Sequence, residues 1–279
     1  MTVAVVTGAA GAMGAACARS MITVADRLLL TDCDDARLDA EAERIAAATG
    51  VAIATVVGDI ADPRFVAELA TRAAAIGEVH AVVHTAGVSP SMAGWEQILH
   101  VDLAGSARLL DAFLPVVVPG TVAVCIASIA GLMGAFTPEM DAVLDAPLVA
   151  DFSARFRSQF GSEPDPGSTY RLAKRGVIRL CERAAVAWGA RGGRVVSLSP
   201  GLIDTAMGRL ELEHNAIKVE MARRTPIRST RQSLDAVLPG AVADIADVVT
   251  FLCSERASFL SGCDVRVDGG LIGAMQAPG

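Results

Sequence analysis

The sequence predicts an α/β protein built on a doubly wound parallel sheet of seven strands, with helices on both faces. Three observations carry that expectation. Short apolar runs rich in β-branched residues alternate with longer Ala-rich stretches of helical length. The runs are apolar nearly throughout, as strands covered on both faces are. The helical stretches between them are long enough for right-handed βαβ crossovers. The chain has 279 residues, no internal repeat and no Pro-, Gly- or Ser-rich linker, so one domain over 1–279 is expected.

Strands are expected at Val3–Thr7, Arg27–Thr31, Ala52–Val57, Ala81–His84, Val122–Ala127, Arg194–Leu198 and Asp264–Val267. Helices are expected near Ala12–Thr23, Asp35–Ala48, Pro63–Ile76, Trp95–Leu114, Ser168–Trp188 and Ala243–Cys253. Asp34 is well placed to cap the second helix. The uncharged stretch between Ala112 and Glu139 has the length of a membrane span, but Pro115, Pro119 and Gly120 interrupt it. A helix end, a turn and a buried strand account for it better. Two segments break the rhythm. An insertion at about 132–167 carries four prolines and room for a short helix pair, and a polar loop at about 202–239 carries charges of both signs. Both leave the carboxyl ends of strands, where open α/β sheets bind ligands.

The formal charge of −7 disfavours nucleic acid and anionic membrane surfaces as partners. Six scattered cysteines show no C-x-x-C and no metal-type spacing, which suggests free thiols in a reducing compartment. With no basic leader ahead of the first strand, the expected location is the cytoplasm, and no metal is expected.

The first strand runs into Thr7-Gly8-Ala9-Ala10-Gly11-Ala12-Met13-Gly14 and then a helix. Glycines here let the backbone turn tightly and approach a pyrophosphate, while the helix N-terminus offers unpaired N–H donors. Asp32 ends the second strand, close to the spacing of an acid that accepts hydrogen bonds from an adenosine ribose. A 2′-phosphate near it would be repelled by about 4 kcal/mol at ~4 Å and an effective dielectric of ~20. No Lys or Arg lies in the glycine turn. NAD(H) is therefore expected rather than NADP(H). Asp59, after the third strand, is placed to meet the adenine or, more plainly, to cap the next helix.

Tyr170 is the only tyrosine, and Lys174 is one of two lysines, the other being Lys218. By random placement a lysine would stand four residues after that tyrosine with a chance of about 2/279. On a helix the two share a face. A phenol of pKa ~10 is a poor base, and lowering it to ~7 takes about 4 kcal/mol of preferential phenolate stabilisation. The ammonium and an oxidised nicotinamide are candidates to supply it. Tyr170 would then exchange a proton with an alcohol or ketone during hydride transfer. Lys174 would also hold the nicotinamide ribose, and Ser128, just past the fifth strand, would bond the substrate oxygen.

Together these residues resemble the short-chain dehydrogenase/reductase family along the whole chain. The matching stretches are the glycine turn, Asp59-Ile60, His84-Thr85-Ala86-Gly87, Ser128-Ile129-Ala130-Gly131, Tyr170-Arg171-Leu172-Ala173-Lys174, Ser199-Pro200-Gly201-Leu202-Ile203-Asp204-Thr205 and Val267-Asp268-Gly269-Gly270. The resemblance implies a Rossmann-like fold and a soluble homodimer or homotetramer. It further implies a cofactor site including Gly8, Gly11, Ala12, Met13, Gly14, Asp32, Asp59, Ile60, Ala86, Gly87, Tyr170, Lys174, Pro200, Gly201, Ile203 and Thr205. By the same analogy Asp102 stands where the family carries an Asn of the proton relay. Ser128 and Tyr170 lie 42 positions apart, far more than is usual. That insertion is similar to the one in bacterial 3α-hydroxysteroid dehydrogenase/carbonyl reductases and implies a bulky, steroid-like substrate; it also stands to obstruct one helix face used for association. Two other readings stay open at this point: a catalytically retired NAD-binding regulatory protein, suggested by Ala12, Thr85 and Asp102, and an NAD-dependent epimerase or dehydratase.

Overall fold

Seven strands form one sheet: β1 (Thr2–Thr7), β2 (Arg27–Asp32), β3 (Ala52–Val57), β4 (Glu78–His84), β5 (Val122–Ile126), β6 (Arg194–Pro200) and β7 (Cys263–Val267). The computed structural model describes residues 1–213, 215–233 and 235–277. Every pairing is parallel, in the order β3-β2-β1-β4-β5-β6-β7. Side chains alternate across the sheet with the period of two that a strand imposes. Val3, Val5 and Leu29 enter one core, and Ala4, Val6, Leu28 and Leu30 the other.

The first core lies under α3 (Pro63–Ile76), α5 (Ser106–Phe113) and α8 (Pro166–Gly189); the second under α1 (Ala12–Met21), α2 (Asp35–Thr49) and α11 (Val242–Leu252). The chain leaves β1 toward β2 and β3 on one side and returns through β4 on the other. Connections therefore diverge between β1 and β4, opening a crevice at their carboxyl ends.

The expected helix at Trp95–Leu114 is not uniform. It consists of α4 (Trp95–Ile98), a π-helical segment Leu99–Gly105, then α5. The insertion holds the short pair α6 (Pro138–Leu144) and α7 (Phe152–Arg157), anchored on α8 in two ways. Met140, Val143, Leu144, Phe152 and Phe156 join the core beside Val177 and Ile178. A ladder at four-residue spacing then ties Asp141 to Arg175 (2.6 Å) and Arg179 (3.2 Å), and Asp145 to Arg179 (2.6 Å) and Arg183 (2.9 Å). The polar loop holds two helices, α9 (Ala206–Glu213) and α10 (Ala216–Arg224). A last helix, α12 (Leu271–Gln276), packs Leu271 and Ile272 against Met221 and Ile129. Asp268 starts it by accepting from the N–H groups of Gly270 and Ile272. Among the described residues no helix is long and apolar enough to cross a membrane.

Candidate active site

A cavity of about 1100 Å³ runs along the carboxyl edge of the sheet. All the cofactor-site residues expected from the sequence line it, as do Ser128, Tyr170 and Lys174. Asp102 does not; it lies behind Lys174, fully buried.

At the β1–α1 turn the backbone is packed too closely for side chains. Gly8 has φ +67°, and a Cβ on it would lie 2.7 Å from the Ala86 nitrogen. On Gly14 a Cβ would lie 2.1 Å from the Gly8 carbonyl oxygen. Helices α2, α3 and α8 begin on the capping side chains of Asp34, Asp62 and Asp165, whereas α1 begins on Gly11 with no side-chain cap and no acid in its first turn. Its first-turn donors thus border the cavity at Ala12, Met13 and Gly14. A cradle of this kind fits a diphosphate.

Asp32 is braced by the main chain: Oδ2 accepts from the Ala10 N–H at 3.0 Å and Oδ1 from the Asp34 N–H at 3.1 Å. Asp59 lies two residues beyond β3 and accepts from the Ala61 N–H in a turn, so the cap of α3 is Asp62. Arg37, in the first turn of α2, donates to the Ala10 carbonyl at 2.9 Å and lines the cavity beside Asp32. The glycine turn has no cation of its own, yet this one reaches it from the next helix.

The end of β4 is tied inward by a buried polar chain. Ser106 Oγ donates its only proton to the Asp102 carbonyl at 2.6 Å, so it accepts from His84 Nε2 at 3.0 Å. His84 Nδ1 is then the acceptor for Thr7 Oγ1 at 2.7 Å, and Thr7 Oγ1 accepts in turn from the Ala86 N–H at 3.3 Å. Burial, with a smaller contribution from Lys174, pulls the His84 pKa down to about 3. The imidazole is neutral, and every bond in the chain has a fixed direction.

Tyr170 and Lys174 project from the first turns of α8, which Asp165 and Pro166 initiate. The Lys174 ammonium lies 5.6 Å from the Tyr170 ring centroid, donates to the Ile126 carbonyl at 3.2 Å and faces Asp102 Oδ2 at 3.3 Å. The Asp102 contact is an ion pair lacking good hydrogen-bond alignment, while Oδ1 accepts from the Val88 N–H at 2.8 Å. Burial pulls the Lys174 pKa down, but Asp102 and Tyr170 outweigh it and the ammonium stays charged. Although the Tyr170 ring keeps partial contact with the open cavity, burial pushes its phenol above the usual range. Lys174 opposes that rise, Asp102 and Glu211 add to it, and the Ser128 hydroxyl opposes it weakly. The ammonium does pull the phenol downward as expected, but burial outweighs it in the free protein. Ser128 holds an extended backbone and caps the 3-10 turn Ile129–Leu132 by accepting from the Ala130 N–H at 3.1 Å.

The far half of the cavity is walled by Met133, Leu202, Met207, Leu210 and Met221. One ion pair, Glu211 with Lys218, joins α9 to α10 across this wall.

Comparison with known proteins gives the family. Residues 2–139 match the short chain dehydrogenase model and residues 158–272 the Enoyl-(Acyl carrier protein) reductase model. The short-chain dehydrogenase/reductase bsc3 of Alternaria brassicicola is 30% identical over 278 residues, covering 94% of this chain and 93% of the relative. The chain belongs to the short-chain dehydrogenase/reductase family. This short-chain dehydrogenase/reductase is also similar to the 3-alpha-hydroxysteroid dehydrogenase/carbonyl reductase of Comamonas testosteroni, at 28% identity over 255 residues, 82% of this chain and 95% of that one. The cis-4-hydroxycyclohexanecarboxylate dehydrogenase of Sinomonas cyclohexanicum is 31% identical over 280 residues, 96% and 95%. A short-chain type dehydrogenase/reductase from Mycobacterium ulcerans superimposes with a TM-score of 0.73 at 25% identity, over 97% of this chain and 89% of that one. Helix α6 from Met140 onward and all of α7 fall between the two family matches. As a member, the protein is an oxidoreductase of a family that binds a nicotinamide cofactor.

Sequence reasoning missed Arg37, the Glu211–Lys218 pair and the Thr7–His84–Ser106 chain. The first two had a weak signal: a cation in the first turn of the helix after Asp32, and opposite charges seven residues apart in a polar loop. The third links residues distant in sequence and had none.

Proposed function

We propose that this protein is an NAD(H)-dependent oxidoreductase that interconverts a bulky, hydrophobic secondary alcohol and its ketone. The observation that carries this reading is a single cavity lined both by the uncapped glycine turn and by Ser128, Tyr170 and Lys174. Gly8, Gly11, Ala12, Met13 and Gly14 hold the diphosphate, and Asp32 accepts from the adenosine ribose. Asp59, Ile60, Ala86 and Gly87 flank the adenosine half, and Pro200, Gly201, Ile203 and Thr205 the nicotinamide half. The cofactor, when bound, supplies or accepts the hydride. Ser128 donates to the substrate oxygen, Tyr170 gives or takes the proton there, and Lys174 positions the phenol and the nicotinamide ribose.

The methionine- and leucine-rich far wall suits an alicyclic skeleton, the class named in the Comamonas and Sinomonas relatives. One folded unit carries both the insertion and the substrate loop, and it works as a cytoplasmic homodimer or homotetramer whose packing avoids the face of α8 that α6 covers. A panel of alicyclic alcohols and ketones, followed by nicotinamide absorbance with NAD(H) and NADP(H), tests the reading. Turnover with NAD(H), lost by at least ~10²-fold in Tyr170→Phe with dinucleotide binding retained, is expected. Unchanged turnover in that variant, or a preference for NADP(H), refutes the corresponding part. Light scattering that finds a monomer at all concentrations refutes the assembly.

A further inference from the structure

We infer that Asp102 is a positioning residue that neutralises the Lys174 ammonium, so that the lysine holds the site's geometry without acting as a free positive charge on Tyr170. The inference rests on the proton-exchange role proposed for Tyr170. The family resemblance implies an Asn at this position, and this chain carries Asp102 there.

The geometry is that of a closed pair. The Asp102 side chain is fully buried, and its Oδ2 lies 3.3 Å from Lys174 Nζ. No other cation approaches it among the described residues; Oδ1 has only the Val88 N–H. The π-helical segment sets Asp102 here, and Ser106 holds the Asp102 carbonyl at 2.6 Å. Gly87 covers the pair closely: a Cβ on it would stand 3.2 Å from Asp102 Oδ1 and 3.4 Å from Lys174 Nζ. Burial pushes the Asp102 carboxyl above the usual range, while Lys174 and the Val88 N–H pull it back. Ionised beside the ammonium, it forms with it a dipole, whose field falls off faster than that of a lone charge.

Among the charged groups facing the phenol Lys174 acts most strongly and lowers its pKa, and the two carboxylates Asp102 and Glu211 each offset part of that effect. On its own helix there is Lys174; from the π-helical segment, Asp102; from α9, Glu211, which Lys218 of α10 pairs. Lys174 itself also faces the neutral imidazole of His84 on β4 and the Cys125 thiol on β5. Burial adds to the cost of a phenolate. Tyr170 therefore enters the reaction as an acid, suited to ketone reduction without prior ionisation, whereas alcohol oxidation rises with pH over a range that burial raises first and Asp102 raises further.

Because Tyr170 is the only tyrosine, the ultraviolet absorbance of tyrosinate titrates this one group in the free protein. The wild-type midpoint is expected above the ordinary ~10, read below alkaline unfolding as followed by circular dichroism. Asp102→Asn, which keeps the shape and removes the charge, is expected to lower it by at least ~1 pH unit, about tenfold more phenolate at a given pH. The pH limb of kcat/KM for oxidation should move the same way, with dinucleotide affinity unchanged. A wild-type midpoint at or below ~10 overturns the inference. So does an unchanged or raised midpoint in folded Asp102→Asn. Should that variant fail to fold, Asp102→Ser, which also removes the charge, takes its place, and an unchanged or raised midpoint there overturns the inference equally. The titration needs no turnover, so an inactive protein refutes the proposed reaction and is told apart from failure of the charge pairing.

Discussion

Truncating Phe156 to alanine tests whether the insertion belongs to the folded core. The ring is completely buried on α7, stacks on Trp95 at 6.1 Å and 15°, and meets Phe152 and Phe160 at 6.5 and 5.2 Å. Removing a buried Phe costs about 3–5 kcal/mol through lost transfer energy and the cavity left behind. Aromatic pairs contribute ~0.5–1.5 kcal/mol beyond area, but truncation already removes them, so adding them again would count them twice. A loss of about 4 kcal/mol is a large share of the ~5–15 kcal/mol that holds a domain folded. At ~2–4 °C per kcal/mol it lowers Tm by roughly 10 °C. Urea unfolding followed by circular dichroism, with calorimetry at the same pH, measures both. A loss below ~1 kcal/mol with an unchanged urea slope would show that the insertion is an appendage and refute this reasoning. Trp95 carries the effect further, since α4 leads directly into the segment that bears Asp102.

Three further outcomes are expected. His84 is held neutral with a pKa near 3, well below its unfolded value of ~6.5. The unfolded chain therefore binds the extra proton: the stabilisation is complete above ~6.5 and falls as pH drops toward 3, by about 2 kcal/mol at pH 5. In His84→Asn the dependence of unfolding free energy on pH across that window should be shallower, and an identical slope would contradict the neutral assignment. Asp141 and Asp145 are held below the usual carboxylate range, by Arg175 and Arg179 respectively. Their contribution is present above ~4 and is lost as pH falls through the depressed values, so Asp141→Asn should flatten the acid limb of stability below pH ~4; an unaltered limb would mean the ladder is inert. Gly14→Ala places a methyl 2.1 Å from the Gly8 carbonyl oxygen. Despite the better helix propensity of alanine, titration calorimetry should show dinucleotide affinity falling by at least tenfold, and retained affinity would count against the cradle.

Much of the fold was legible because its strongest signals are local. Val3–Thr7, Ala52–Val57 and Pro63–Ile76 were readable from apolar runs, and Asp34 caps α2 as its side chain suggests. β4 begins earlier than expected, at Glu78, because Glu78 and His80 interrupt the apolar pattern while the backbone still pairs with Thr2 and Val3. The π-helical segment was invisible, since one extra residue in a turn leaves apolar spacing almost unchanged. Helices α9 and α10 hide in a polar loop because they bury little against the sheet and face the cavity instead. At the site, Ser128, Tyr170 and Lys174 were found by residue type and spacing, and the structure brings them to one cavity. The partner of Lys174 was not foreseen: Asp102 and Lys174 meet only once α8 lies against the π-helical segment, a contact that sequence spacing does not encode.

The bare start of α1 couples binding to local order. A helix that opens on glycine, with nothing to accept from its leading amides, frays more readily there than α2 or α3, whose own carboxylates finish them. An anion seated at Gly11–Gly14 completes that turn. Hydrogen exchange of those amides should consequently slow on anion addition alone, before any alcohol or ketone is present, and the melting transition should rise with anion concentration.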